Sequence, residues 1–239
     1  MGPGFLGEFL GTMVLILFGN GVVANVLLTQ SKGNGGGWMV ITTGWAFGVL
    51  AGVIVAIAAG SNAHLNPAVS VALAYSSGSW ATVPTYVAGQ FAGAFAGAAL
   101  VWLAYLAHWA KTEDSGLKLA CYSTGPAIRD AKANLLTEVI GTFALVFVVV
   151  AIGAKAVGAA GVLGPLMVAF LVWGIGLSLG GPTGYAINPA RDLGPRLAHA
   201  VLPIAGKGGS DWGYSWVPVV GPVVGALLAI IVAKATGLG

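Results

Sequence analysis

Two identical tripeptides, Asn-Pro-Ala, occur once in each half of the sequence and have the most specific chemistry in it. Each is typical of a helix start, because Asn is a favoured N-cap and Pro is tolerated at the first helical position. An Asn that caps with its side-chain oxygen keeps its amide NH2 free to donate to a ligand. The residues concerned are Asn66, Pro67, Ala68, Asn188, Pro189 and Ala190. They predict two helix N-termini that present donors and positive dipole ends to one meeting point.

A matching sequence, Glu-x-x-Gly-Thr, precedes each triplet. Glu8 begins it fifty-eight residues before Asn66, and Glu138 begins it fifty residues before Asn188. Two motifs that recur in the same order indicate an internal repeat. We interpret the two carboxylates as acceptors for backbone N–H groups of the loops that lead to the triplets. The alternative is that they are proton-relay groups of a coupled transporter.

The composition is that of an integral membrane protein. Of 239 residues, 57% are hydrophobic and only 7% are Asp, Glu, Lys or Arg, whereas about 25% charged is usual in soluble proteins. Soluble enzymes, nucleic-acid binders and disulfide scaffolds are therefore poor fits. The single cysteine, Cys121, excludes an internal disulfide and a metal cage built from Cys. We expect a protein that is not an enzyme and that has neither a metal nor another cofactor.

Six apolar runs are long enough to cross a bilayer as helices. They cover Phe5–Leu28, Trp38–Gly60, Pro84–His108, Leu135–Gly158, Val162–Gly180 and Trp212–Lys234. The segments after the two triplets, Ala68–Tyr75 and Ala190–His199, are too short to span. The predicted fold is thus an all-α membrane protein with six transmembrane helices and two re-entrant half-helices. The loops entering the half-helices, Gly60–Ala63 and Gly181–Tyr185, are predicted to line a wet cavity with carbonyl groups.

A polar segment, residues 110–132, divides the chain in two. It carries seven of the seventeen charged residues and must therefore lie in water. Three spans precede it and three follow it, so the second half enters the membrane from the opposite side. We predict one channel domain, residues 1–239, built from inverted repeats of approximately 1–109 and 133–239. Such folds place their functional site near the midplane, at interrupted segments in matching positions of the two halves.

One charged residue follows the second triplet directly. Counting from Asn188 as N-cap, Arg191 is the third helical residue, where a cation opposes the helix dipole, and Val69 holds the matching place in the first half. Charges inside a membrane are costly and are typical of functional sites. We predict a functional role for Arg191; the alternative is that it pairs with a buried acid. Asp192 and Arg196 are four residues apart on one helical face and can pair with each other.

These features together resemble the major intrinsic protein family of aquaporins and glycerol facilitators. The resemblance rests on the paired Asn-Pro-Ala boxes in a six-helix inverted repeat, with His64 before the first and Arg191 after the second. The run Asn188–Arg196, with Asp192 after the Arg, resembles the glycerol-conducting branch, as does Pro218 in the last helix. The resemblance implies a homotetramer in which every protomer has its own pore, with an aromatic and arginine filter on the outer side.

The resemblance assigns the filter to Trp45, Gly176, Tyr185 and Arg191. Gly176 stands where water-selective members usually have His, and it leaves room. Tyr185 stands where Phe is commoner in the glycerol branch. The second-helix filter position aligns with Ala46, so either Trp45 or Phe47 must face the pore; at 100° per residue both cannot. We predict that Trp45 does.

The predicted function is a passive channel for glycerol and other small uncharged solutes together with water, excluding protons and ions. Supporting residues are predicted to be Glu8, His64, Glu138 and Asp192. Of these, His64 is expected to have a neutral hydrogen-bonding role beside the pore. Two alternatives stay open: a water-selective aquaporin, and a proton-coupled secondary transporter, which needs a titratable carboxylate facing the pathway.

The resemblance implies a plasma-membrane protein with cytoplasmic termini. The distribution of basic residues indicates the opposite orientation. Six lie in the loops opposite the termini, and only Lys155 and Lys234 lie on the terminal side. The positive-inside rule would place the termini outside. Because a long loop weakens that rule, we predict cytoplasmic termini.

Overall fold

The fold is all-helical throughout the residues that the computed structural model describes, 4–157 and 161–238. These residues contain ten α-helices, two short 3-10 turns at Lys155–Val157 and Gly161–Leu163, and no β-strand. The helices are α1 Phe5–Leu27, α2 Gly37–Ala58, α3 Pro67–Ser77, α4 Val83–Ala104, α5 Leu106–Trp109, α6 Ser115–Ala120, α7 Ala131–Gly153, α8 Gly164–Leu179, α9 Pro189–Val201 and α10 Val217–Thr236.

Five helices, namely α1, α2, α4, α7 and α10, are long and apolar enough to cross a membrane. They confirm five of the six predicted spans, with ends shifted by a few residues. The third ends at Ala104, before the separate short helix α5, and the sixth begins at Val217, because Pro218 is in its first turn. Gly158, the predicted end of the fourth span, lies outside the described residues.

The fifth predicted span, Val162–Gly180, forms a shorter helix than expected. Helix α8 has only 16 residues, whereas a full crossing takes about 20. At 1.5 Å per residue the helix is about 24 Å long. A 3-10 turn precedes it, and Pro165 lies in its first turn. Proline favours the first turn of a helix because its missing N–H group is not needed there.

The two triplets begin the half-helices α3 and α9, which have 11 and 13 residues. The Asn66 side-chain oxygen accepts a hydrogen bond from the backbone N–H of Ala68. The Asn188 oxygen accepts hydrogen bonds from the backbone N–H groups of Ala190 and Arg191. Each helix therefore starts with a capping Asn followed by Pro, the arrangement that the composition of the triplets predicts.

The two halves of the chain pack in matching ways. Helix α1 packs against α2 and α4, α7 packs against α8 and α10, and α2 meets α8 between the halves. Each half-helix crosses over to the other half: α3 packs against α10, and α9 packs against α4. The half-helix N-termini are thereby brought together in the interior.

Glycines allow the long helices of each half to approach closely. On α4, a side chain at Gly89 would lie 2.8 Å from the Phe5 carbonyl oxygen of α1. On α10, a side chain at Gly221 would lie 2.6 Å from Glu138 Cβ of α7. Small residues at such crossings are typical of membrane helices, which associate by close packing.

The polar segment 110–132 is folded against the helices on one side of the molecule, here called the loop side, where α1 ends and α7 begins. Its Cys121 and Tyr122 are fully buried. Burial raises the pKa of the Cys121 thiol above its ordinary value, because the thiolate would lose its hydration. The side on which α1 begins and α10 ends is called the terminal side.

Candidate functional site

A cavity of about 360 Å³ lies between the two halves. It follows α2 from Trp45 to Ile57, a rise of about 18 Å along the helix. Its apolar lining comes from several helices and includes Leu15, Val49, Val53, Leu145, Val168 and Val172. Its polar lining comes from residues 62–66 and 185–188 and from Arg191. The cavity therefore has apolar helices on some sides and irregular polar backbone on the others.

The first of the two lining loops is held by the carboxylate of Glu8, which is fully buried. Its Oε1 accepts a hydrogen bond from His64 N at 2.9 Å, and its Oε2 accepts one from Leu65 N at 2.7 Å. The Ser61 hydroxyl and the Gln90 amide also donate to this carboxylate. Both oxygens are occupied by protein donors, so the carboxylate fixes the loop and is not among the groups that line the cavity.

The second loop is held by Glu138 in the same way. Its Oε1 accepts hydrogen bonds from Ala186 N at 2.9 Å and from Thr183 Oγ1 at 2.7 Å. Its Oε2 accepts one from Ile187 N at 2.8 Å. The side chain is 1% exposed. The two carboxylates thus accept hydrogen bonds from backbone N–H groups of both loops. These N–H groups are then not used to pair with the loop carbonyls.

The two Asn side chains cross-link the loops. Asn66 Nδ2 donates to the carbonyl of Ile187 at 2.7 Å, and Asn188 Nδ2 donates to the carbonyl of Leu65 at 2.7 Å. The expectation that each NH2 is wholly free is therefore wrong for one of its two N–H groups. An amide NH2 has two donors, and both Asn side chains line the cavity. One donor of each remains for a ligand.

The loop backbone turns by means of residues with positive φ. Ala63, Leu65, Tyr185 and Ile187 have φ of 53°, 51°, 39° and 44°. They occupy matching places, three residues and one residue before each capping Asn. Such conformations cost about 1–3 kcal/mol each in non-glycine residues and cluster at functional sites. The repeated strain indicates that both loops are shaped for the cavity.

The cavity lining begins slightly later in each loop than the sequence predicts, at Asn62 and at Tyr185. Within the described residues, the carbonyls of 62–64 and 184–186 accept no hydrogen bond. The predicted stretches began at Gly60 and Gly181, which lie two residues beyond the ends of α2 and α8 and are not among the cavity-lining residues. Gly60 N donates to Ile57 O, and Gly184 N donates to Gly180 O. Both bonds belong to the turns that follow α2 and α8, and each loop reaches the cavity only after its turn.

Arg191 lies at the end of the cavity nearest the loop side. Its guanidinium carbon is 4.0 Å from the centre of the Trp45 ring. Trp45 is 3% exposed and lines the cavity, whereas Phe47 is 60% exposed on the outside of α2. The structure thus brings Trp45, and not Phe47, to Arg191.

Arg191 makes no ion pair in the described part of the chain, and its guanidinium donates no hydrogen bond to a residue there. The neighbouring acid is already paired: Asp192 Oδ1 accepts from Arg196 Nε at 2.8 Å, and both side chains are fully buried. The alternative in which a buried acid neutralises Arg191 has no support in these contacts. Its N–H groups are available to a ligand in the cavity.

The room left by Gly176 is filled by Tyr185. A side chain at Gly176 would lie 2.8 Å from Tyr185 Cζ and 3.0 Å from Thr42 Cγ2. The glycine is not among the cavity-lining residues and lies behind the tyrosine. Trp38 also packs against this tyrosine. Its Nε1 donates to Gly176 O at 2.9 Å, and its ring meets the Tyr185 ring edge-on, with 5.9 Å between the ring centres. Gly176 therefore widens the cavity indirectly, by letting the Tyr185 ring lie back.

The hydroxyl of Tyr185 does not reach the cavity. Its oxygen is buried, and no described residue forms a hydrogen bond with it. It lies toward Gly176, since a side chain at that glycine would be 3.0 Å from it. The aromatic ring lines the cavity, so the hydroxyl adds no polar group to the passage.

His64 lies beside the cavity, between polar and aromatic neighbours. Its Nδ1 is 3.0 Å from Ser70 Oγ, which also accepts a hydrogen bond from Gln90 Nε2 at 3.0 Å. Its ring meets the Tyr86 ring at 4.8 Å. These contacts hold the imidazole in place in the first loop.

Gln90 and Thr124 are among the residues at the site that the sequence did not predict. Gln90 joins Glu8 to Ser70, and the presence of an amide within a span free of charged residues could have indicated it. Thr124 donates to Asp192 from the polar segment, and no sequence pattern distinguishes it from the other residues of that loop.

Comparison with known proteins agrees with this geometry. Residues 4–233 match the family described as Major intrinsic protein. The chain belongs to the major intrinsic protein family. It is 58% identical over 225 residues to the "Probable glycerol uptake facilitator protein" of Thermotoga maritima, covering 94% of this chain and 95% of that one. It is 53% identical over 227 residues to the "Glycerol uptake facilitator protein" of Streptococcus pneumoniae strain R6, covering 95% and 96%.

A solved structure of the family has the same fold. The X-ray structure of the aquaglyceroporin from Plasmodium falciparum superposes with a TM-score of 0.83 and is 31% identical in sequence. The match covers 96% of this chain and 94% of that one. The major intrinsic protein fold therefore extends over nearly the whole sequence.

We predict that Tyr185→Phe will leave the ratio of glycerol to water permeability unchanged and will raise stability by about 1 kcal/mol. A buried hydroxyl without a partner costs about 1–3 kcal/mol, and removing it leaves the cavity-lining ring in place. Thermal unfolding in detergent and stopped-flow light scattering on proteoliposomes measure the two quantities. A fall in glycerol permeability alone would mean that the hydroxyl contacts the solute.

Proposed function

We propose that this protein is a passive channel for glycerol and other small uncharged solutes together with water, and that it excludes protons and ions. The observation that carries the proposal is the lining of the cavity. Carbonyls of residues 62–64 and 185–186 and one N–H of each capping Asn provide acceptors and donors, and the surrounding helices provide apolar surface. A polyol needs both, because it has hydroxyl groups along one edge and C–H groups along the other.

Conduction would follow from replacement of hydration. A neutral solute exchanges hydrogen bonds with water for hydrogen bonds with the loop carbonyls, the Asn amides and Arg191. An ion would lose a full hydration shell and find ligands on only part of its surface. The half-helix N-termini are each equivalent to about half a positive charge. Together with Arg191, which has no ion-pair partner among the described residues, they would repel cations and hydronium. We assign the filter to Trp45, Tyr185 and Arg191, with Gly176 as the residue against which the Tyr185 ring packs.

The names of the relatives support glycerol as the principal solute. Both bacterial relatives are named as glycerol uptake facilitators, and the solved structure is an aquaglyceroporin. The filter geometry agrees, since Gly176 lets an aromatic ring lie back from the passage. A water-selective channel, the nearest alternative, would be expected to fill that place with a larger side chain.

A proton-coupled transporter is the alternative from another class. It would need a titratable carboxylate on the pathway. Glu8 and Glu138 are fully buried or nearly so, do not line the cavity, and use both oxygens to hold backbone and side-chain donors. Protonating either would break the hydrogen bonds that shape its loop. These contacts favour a structural role for both and a channel mechanism for the protein.

We infer that residues 1–239 form one channel domain in which the approximate halves 1–109 and 133–239 are inverted repeats joined by 110–132. The matching packing of the two halves supports this inference.

The filter lies near the loop side, so an outward-facing filter implies cytoplasmic termini in the cell membrane. We further infer a homotetramer, as the family resemblance implies. Protease access to a C-terminal tag in intact cells and light scattering of the purified protein check orientation and assembly.

We predict that Gly176→His will lower glycerol permeability by at least about tenfold, the effect of roughly 1.4 kcal/mol of steric cost, while water permeability largely remains. The new side chain would displace the Tyr185 ring toward the passage, and water needs less width. Water-driven shrinkage and glycerol-driven re-swelling of the same vesicles measure both.

Gly174→His is the matched control, because that exposed glycine of α8 has open space around it. If both permeabilities fall in proportion, Gly176 serves helix packing only. If the wild-type protein carries water but no glycerol, the proposed solute is wrong.

We also predict that Arg191→Val will admit a measurable proton or ammonium leak while water flow persists. Arg191 contributes a positive charge without an ion-pair partner among the described residues, so its loss removes a barrier to cations. A pH-sensitive dye inside vesicles measures the leak. Arg129→Val is the control, since Arg129 is exposed and pairs with Asp211 at 2.5 Å. Unchanged proton conductance in the Arg191 variant would refute its role.

A further inference from the structure

Thr124, in the polar segment between the two halves, is bound closely to the residue that follows Arg191. Its backbone N and its Oγ1 both donate to Asp192 Oδ2, at 2.8 and 2.6 Å. Its carbonyl accepts a hydrogen bond from Arg196 Nη2 at 2.9 Å. All three residues are buried. The threonine therefore joins the buried ion pair of α9 and is not a solvated loop residue.

Thr124 also lies against the residue that precedes Tyr185. A side chain at Gly184, whose φ is 82°, would lie 3.4 Å from Thr124 Cγ2. Three residues further on, Ala127 N donates to Pro182 O at 2.9 Å. The polar segment thus follows the outer surface of the second loop over residues 182–184.

Thr124 therefore contacts the residues on both sides of one short segment. Residues 185–191 begin with the filter tyrosine and end with the filter arginine. Gly184 and Asp192 flank this segment, and Thr124 contacts both. A displacement of Thr124 would change the separation of the two flanking residues, and with it the distance between the Tyr185 ring and the Arg191 guanidinium.

The first half of the chain has a different support. Its loop is braced by Tyr86, whose hydroxyl accepts a hydrogen bond from Asn62 N at 3.3 Å and whose ring contacts His64. That brace belongs to α4, a long helix of the same half. The second loop carries the filter tyrosine and leads to the filter arginine in α9, and the polar segment is attached to this loop.

We propose that Thr124 is a positioning residue for the filter: its hydroxyl, bound to Asp192, sets the width between Tyr185 and Arg191 and so the preference among solutes. This inference rests on the proposed function. Thr124 does not line the cavity, so it acts through its neighbours. Its hydroxyl is one of three donors to Asp192 Oδ2, the others being its own backbone N and Arg196 Nη2. Removal of the hydroxyl leaves the charged pair intact and frees the carboxylate to shift.

The test compares two nearly isosteric variants. Thr124→Val keeps the methyl group that faces Gly184 and removes the hydroxyl, whereas Thr124→Ser keeps the hydroxyl and removes that methyl group. We expect the ratio of glycerol to water permeability in proteoliposomes to change by at least about threefold in the valine variant, as for coupled residues of one network. The serine variant should keep the wild-type ratio. Thr124→Ala removes the hydroxyl together with the methyl group, and its comparison with Thr124→Ser serves if the valine variant does not fold.

Ser123→Ala is the control, because the Ser123 hydroxyl is buried next to Thr124 and has no hydrogen-bond partner among the described residues. It should leave the ratio unchanged. A ratio that stays at the wild-type value in both the valine and the alanine variants would overturn the proposal. So would an equal change in the serine variant. If the wild-type protein conducts no glycerol, the proposed function fails, which is a separate result visible before any variant is made.

Discussion

The reciprocal hydrogen bonds between each capping Asn and the carbonyl at the end of the opposite loop are the interaction on which the rest of the structure depends. Asn66 donates to Ile187 O and Asn188 donates to Leu65 O. They join two half-helix N-termini that would otherwise repel each other through their dipoles. Irregular backbone at membrane depth must have its polar groups satisfied. Here Glu8 and Glu138 accept N–H groups of the two loops. The carbonyls of 62–64 and 185–186 accept no hydrogen bond from a described residue and belong to residues that line the cavity.

The matching halves differ where selectivity is proposed to arise. Both loops have the same carboxylate anchor and the same positive-φ residues, but only the second is followed by an arginine. That loop is also the one held by the polar segment, through Thr124 and the buried Asp192–Arg196 pair. Symmetric parts of the fold therefore line the cavity, and asymmetric additions hold the end of it that we propose as the filter. In the described part of the chain, Arg191 has no ion-pair partner, whereas the neighbouring Asp192 is buried and paired with Arg196.

The features that were predictable from sequence depend on local chemistry. A capping Asn followed by Pro starts a helix wherever it occurs, and a four-residue spacing allows Asp192 to meet Arg196. Features that depend on packing between distant elements were less predictable. The Tyr185 ring packs against Gly176 of α8 in a space that Thr42 and Trp38 of α2 also border. Nothing in the local sequence shows that the glycine lies behind the ring. The contacts of Thr124 with Gly184 and Asp192 likewise join separate segments.

The central claim is that solutes pass along fixed hydrogen-bonding groups, with no side chain that changes protonation during transport. The rate of glycerol uptake into proteoliposomes, measured against the glycerol gradient with and without a protonophore, tests this claim most directly. The account predicts a rate that rises in proportion to the gradient well into the millimolar range and that is unaffected by the protonophore. Saturable uptake that concentrates glycerol and is abolished by the protonophore would contradict it.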